Sequence, residues 1–148
     1  MEYTQGTLGR VFVARLHEGE SIYDSVIEIA RREGIESAAV MAVGGIRSGK
    51  VVTGPKNQTG KIDPHYEEFN DAREMVGFGT VFQQDGEPSL HFHAGIGRED
   101  KAIVGCPRAG MSVYLILEVV IIELLGVDAT RKMDPEFGVH LLNITGTG

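Results

Sequence analysis

Apolar and polar positions along the chain change period several times, and each change marks an element. Residues 9–16 (GRVFVARL) alternate, with Val11, Val13 and Arg15 on one side and Phe12, Ala14 and Leu16 on the other, which is the two-residue period of a strand. Past Glu18-Gly19-Glu20 the period lengthens, and Ile22, Val26, Ile29 and Ala30 fall at helical spacing. Ser21 stands at the N-cap with Asp24 three residues on, and Gly34 followed by apolar Ile35 supplies the stop. One well-delimited helix is expected between them.

The remainder reads as strands and turns. Residues 37–46 (SAAVMAVGGI) form a buried strand in which Gly44-Gly45 marks a bulge or a close backbone approach, and Gly49-Lys50 is expected to turn into Val51-Val52. Residues 54–64 make a polar loop, and 65–70 a short strand. Residues 73–84 (REMVGFGTVFQQ) give a glycine-interrupted strand that Asp85-Gly86 turns into a second strand over 90–96. Residues 97–101 turn and 102–106 return. Residues 111–125 are a long strand, apolar on both faces apart from Glu118 and Glu123, which points to cover from the core on one side and a partner subunit on the other. Residues 128–137 read as a polar connection, 138–144 as a closing strand and 145–148 as a frayed tail. There are no internal repeats. The expected fold is a single α+β domain over residues 1–148, a largely antiparallel sheet with one main helix.

Composition narrows the function. The net charge of −7 and the absence of a clustered basic stretch argue against DNA as a partner, since phosphate neutralisation supplies most of the affinity of nucleic-acid binders. No run of eighteen apolar residues occurs, so no membrane helix is expected. A lone cysteine cannot close an internal disulfide, and a cytoplasmic location is the simplest expectation.

The chemistry concentrates in Leu90-His91-Phe92-His93-Ala94 and the return at Gly105-Cys106-Pro107. Residues i and i+2 of a strand share a face, with Cα atoms roughly 6.5–7 Å apart. His91 and His93 can therefore converge on one ion, and Cys106 on the returning strand offers a third ligand. Zinc is the first candidate, with an open fourth position for water or a group from another subunit. Cys106 also fits two other roles, a small buried hydrophobe or a nucleophile paired with His91 or His93. Glu118, costly in an apolar strand unless paired, is either an interface residue salt-bridged to Arg15, Arg47 or Arg108, or a carboxylate that orients the metal ligands or serves as a base. His17, His65 and His140 read as surface or structural residues, with His65 as the reserve ligand. Gly95-x-Gly97 is not a dinucleotide fingerprint, because no helix follows it.

Several of these pieces occur in a recognisable order: Leu16-His17-Glu18-Gly19-Glu20, Gly34-Ile35, Val43-Gly44-Gly45-Ile46, residues 86–94 (GEPSLHFHA), Val104-Gly105 and residues 118–124 (EVVIIEL). In that order they resemble the plant- and prokaryote-conserved (PPC) domain family, in its stand-alone prokaryotic form. The resemblance implies a small α+β fold assembled as a homotrimer. It also implies that Cys106 stands where many members have the histidine of Gly-Gly-His, an exchange that keeps a ligand and changes its softness. Plant members carry DNA binding on a joined AT-hook, and no Arg-Gly-Arg-Pro core occurs here. The expected function is thus a metal-binding, homotrimeric PPC-domain protein with no assigned catalysis and room for a small ligand at the metal. Two alternatives remain open. One is a zinc hydrolase or other small-molecule enzyme using Glu118, Glu87 or Glu99; the other is a DNA-associated regulatory protein.

Overall fold

The computed structural model describes residues 1–108 and 110–145; Ala109 and most of the tail expected to fray, residues 146–148, lie outside the described residues. The order of elements is β1 (Thr7–His17), α1 (Ile22–Glu33), β2 (Ala38–Pro55), β3 (Pro64–Phe69), β4 (Arg73–Gln84), β5 (Glu87–Arg98), β6 (Lys101–Pro107), β7 (Ser112–Leu125), β8 (Ala129–Asp134) and β9 (Val139–Ile144). The expectation of an α+β domain does not hold. Among the described residues strands make up 65% and helix 8%, with one helix against a single nine-stranded sheet, so the fold is mostly β.

Helix α1 begins and ends where its caps place it. Ser21 Oγ accepts from Asp24 N at 3.4 Å, and Gly34 takes the left-handed conformation at φ 66° that ends the last turn. The helix buries Ile22, Val26 and Ala30 on the inner face of the sheet. Full burial contributes about 1.5–3 kcal/mol for each of the two larger side chains. The same core takes Val40 and Ala42 from β2, Leu90, Phe92, Ala94 and Ile96 from β5, and Leu117, Val119 and Ile121 from β7.

Strand β2 organises the sheet. Its first half pairs with both β7 and β4, and its second half pairs with β3 and β6. Because β4 pairs β5 and β5 pairs β6, strands β2, β4, β5 and β6 close on themselves. No turn forms at Gly49-Lys50; the strand runs through. The glycine serves packing instead, since a Cβ at 49 would stand 2.9 Å from Met111 Cγ and 3.1 Å from Phe69 Cζ. Gly44 and Gly45 allow the close approach expected of them: Cβ atoms there would lie 2.6 Å from the Ile116 carbonyl and 2.5 Å from that of Tyr114. The β2–β7 register shifts beside them. The span expected to be a polar connection contains β8, which pairs parallel with the end of β4 and antiparallel with β9.

The outer face of the sheet is apolar in rows that lead to β5. One row runs Val13, Val120, Met41, Phe78 and His93. The next runs Arg15, Glu118, Val43, Val76, Gly95 and Val104. Val13, Val43, Val76, Phe78 and Val104 are all exposed, with Val76 at 66% and Phe78 at 56%. Together they form a contiguous apolar patch on that face.

Candidate metal centre

Strand β5 holds the two histidines rigidly because Phe92 between them is anchored. Its ring is fully buried, and it lies against Gly77 and Gly79 of β4, where any Cβ would collide with it. With Phe92 fixed inward, His91 and His93 are fixed outward by alternation. The β5–β6 register sets Ala94 opposite Gly105, so Cys106 shares their face. Gly105 is required there, since a Cβ would run into the Val52 carbonyl of β2.

The structure brings His91, His93 and Cys106 together. Their ligand atoms all lie within 4.8 Å of one another. The two Nε2 atoms face each other at 3.1 Å, and the rings meet edge to face at 84°. A tetrahedral zinc with Zn–N bonds of about 2.0–2.1 Å sets its nitrogen ligands about 3.3 Å apart, so the imidazoles are already at ligand spacing. Two facing Nε2 atoms cannot both carry protons; either one donates to the other, or both lone pairs share a cation. Two nitrogens and one sulfur form a donor set that suits zinc. The histidines remain exposed at their edges and Cys106 is buried. Among the described residues these two rings hydrogen-bond to each other through their Nε2 atoms.

The three residues open into a cleft of about 880 Å³ lined by parts of α1, β2, β4, β5, β6, β8 and β9. Burial, followed by the charges of Arg131, His93 and Arg108, holds the His91 pKa below its ordinary value. Tyr23 of α1 donates its hydroxyl to the Pro107 carbonyl. Burial, and after it the neighbouring Cys106 sulfur, push the Tyr23 hydroxyl above its usual range.

Other residues singled out in the sequence lie elsewhere. Glu118 is exposed on the apolar outer face, in register with Arg15 and Val43, and makes no ion pair with Arg15, Arg47 or Arg108 among the described residues. It shares the apolar depression of that face with His93 but does not line the cleft. Glu87 pairs with Arg31 at 2.8 Å and Glu99 approaches Arg98 at 3.8 Å, both away from the cleft. His65 bonds Thr53 Oγ1 at 3.0 Å through Nδ1 and stands outside the cleft lining. His140, read from sequence as surface or structural, does line the cleft, as do Tyr23 and Arg131. These come from α1, β8 and β9, and no local pattern in the sequence ties them to the His-x-His strand.

A β-rich fold with a histidine–cysteine cluster at the mouth of a cleft is the class of protein the structure defines. The sequence matches the Plants and Prokaryotes Conserved (PCC) domain over residues 3–125, and the chain belongs to that family. Among solved structures, a metal-containing protein from Archaeoglobus fulgidus is similar at 22% identity and a TM-score of 0.84, covering 95% of this chain and 98% of that one. A plant- and prokaryote-conserved (PPC) protein from Pyrococcus horikoshii is similar at 24% identity and a TM-score of 0.84, covering 99% of each chain. A candidate DNA-binding protein from Ralstonia eutropha is similar at 19% identity and a TM-score of 0.75, covering 97% and 96%. At these identities the likeness is one of fold. No curated protein matches the sequence. Among the described residues, no helix is long and apolar enough to cross a membrane.

Proposed function

We propose that this protein binds one divalent metal ion, zinc first, through His91, His93 and Cys106, and that it works as a homotrimer. The observation that carries the metal reading is the convergence of three ligand atoms from two adjacent strands within 4.8 Å. The description of the A. fulgidus protein as metal-containing agrees with it. Three protein ligands leave a fourth position open, where the bound ion would polarise water or take a donor atom from a ligand. Self-association is supported by the exposed apolar rows of the outer face, one of which ends at His93. The number three comes from the family resemblance. Glu118, which makes no ion pair among the described residues, then sits at the subunit contact.

The reading stops short of catalysis, because none of Glu118, Glu87 and Glu99 lines the cleft to act as a base. It also does not extend to DNA, although relatives in fold carry that description. Arg10, Arg31, Arg47 and Arg98 each pair with a carboxylate, so they form no free basic stripe. The test is elemental analysis of purified protein and of Cys106→Ala, with the mass read by light scattering. About one zinc per chain, lost in the variant, and a mass near three times 16.0 kDa are expected. Undiminished zinc in Cys106→Ala, or a metal-free monomer, overturns the proposal.

A further inference from the structure

Arg131 of β8 is a buried charged group. It is 7% exposed, yet no carboxylate pairs with it among the described residues. Its Nη2 donates to the Thr80 hydroxyl at 2.9 Å and to the Thr80 carbonyl at 3.3 Å, and its guanidinium stands 5.6 Å from the centre of the Phe82 ring. Its Nε is buried and has no hydrogen-bond acceptor among the described residues. A buried charge left with neutral partners is costly, and native structures seldom keep one without a reason. Arg131 lines the same cleft as His91, whose strand neighbour is Thr80.

The other permanent charge along the cleft has the same sign: Arg108 is exposed there, and no Asp or Glu lines the cleft among the described residues. That is a strong departure for a chain with 21 acidic residues and a net charge of −7. A guanidinium offers its donors in a planar fork that matches the oxygens of a carboxylate or phosphate, and its weak hydration suits a buried site. The volume of about 880 Å³ fits a small molecule rather than a polymer.

We infer that this cleft binds a small anionic molecule whose carboxylate or phosphate group is held by Arg131, with Arg108 at the rim. The inference goes beyond the metal proposal and does not depend on it, since neither Arg131 nor Arg108 is one of the three ligands. With a metal in place, the same molecule would present a second donor to the ion's open position.

The test uses ¹⁵N-labelled whole protein freed of metal by chelation. Inorganic phosphate is titrated in one arm and malonate in the other, while the Arg131 Nε–H resonance, assigned by its loss in Arg131→Lys, is followed. A saturable shift of that resonance in either arm is expected, and the tighter arm names the phosphate or carboxylate source. Arg131→Lys should weaken binding tenfold or more and Arg108→Gln severalfold, with the zinc content of both unchanged. A resonance unmoved by millimolar amounts of both anions, or binding that is as tight in Arg131→Lys as in the natural chain, overturns the inference. Anion binding that persists in Cys106→Ala leaves it standing even where the metal proposal has failed.

Discussion

The packing of Phe92 against Gly77 gives a quantitative prediction about what holds the candidate site in place. A Cβ added at Gly77 would stand 2.5 Å from Phe92 Cε1, closer still to Cζ, and 2.8 Å from the His93 carbonyl, short of ordinary contact by about 1 Å. Gly77→Ala alone should therefore destabilise by about 1–3 kcal/mol, the usual range for overpacking. Phe92→Ala alone removes a fully buried ring and should cost about 3–5 kcal/mol. The double variant should cost less than the sum. With the ring gone, the new methyl enters the void and keeps only its contact with the His93 carbonyl. A favourable coupling of about 0.5–3 kcal/mol is expected. The assay is urea unfolding at one protein concentration after chelation, so that bound metal does not add its own stabilisation. Additivity within about 0.5 kcal/mol would show that Gly77 and Phe92 are energetically independent, and would refute the account of how β5 is anchored.

Three further outcomes are expected. His91 has a depressed pKa in the folded state, so the unfolded chain binds more protons over the window below about 6.5. Metal-free protein should keep its full His91 contribution above that pH and lose stability as pH falls through the window, a slope that His91→Gln should flatten in urea titrations at several pH values. Glu123 accepts from Arg10 N, Nε and Nη2, and these bonds hold its pKa at about 2 against an ordinary 4.5. Its contribution is complete above the ordinary value and is lost as pH falls toward 2, so Glu123→Gln should unfold at higher pH in an acid titration followed by circular dichroism. On the apolar outer face, Phe78→Glu should reduce the mass read by light scattering to that of a single chain while leaving the strand signal intact.

How much was legible in the sequence depended on whether the signal was local. Ser21, Asp24 and Gly34 gave helix α1 its ends because capping is settled within one turn. Asp85-Gly86 gave the β4–β5 hairpin, since both residues take the positive φ that such a turn demands. Strand β8 was missed. Ala129–Asp134 is polar, and its pairing with β4 involves only Gln83 with Thr130 and Gln84 with Arg131, a long-range contact that periodicity does not encode. Gly49 was misread as a turn because a glycine that makes room for Met111 and Phe69 looks, in sequence, like one that bends the chain. The fold class was overstated in helix for a related reason: one strongly capped helix drew attention among strands that proved longer than their apolar runs. In the site, alternation placed His91 and His93 on one face, the return at 102–106 offered the lone Cys106, and the family resemblance strengthened its reading as a ligand. Arg131, by contrast, lies 40 positions from His91 in the chain, and its burial follows from the folding of β8 onto β4.

The most direct test of the central claim is the absorption spectrum of cobalt-loaded protein. Cobalt(II) in a site built from His91, His93 and Cys106 should show tetrahedral d–d bands and a sulfur-to-cobalt charge-transfer band. Cys106→Ser should abolish the charge-transfer band, and His93→Ala should weaken cobalt binding without removing the thiol. A cobalt spectrum with no sulfur band, or one unchanged in Cys106→Ser, would contradict the three-ligand centre.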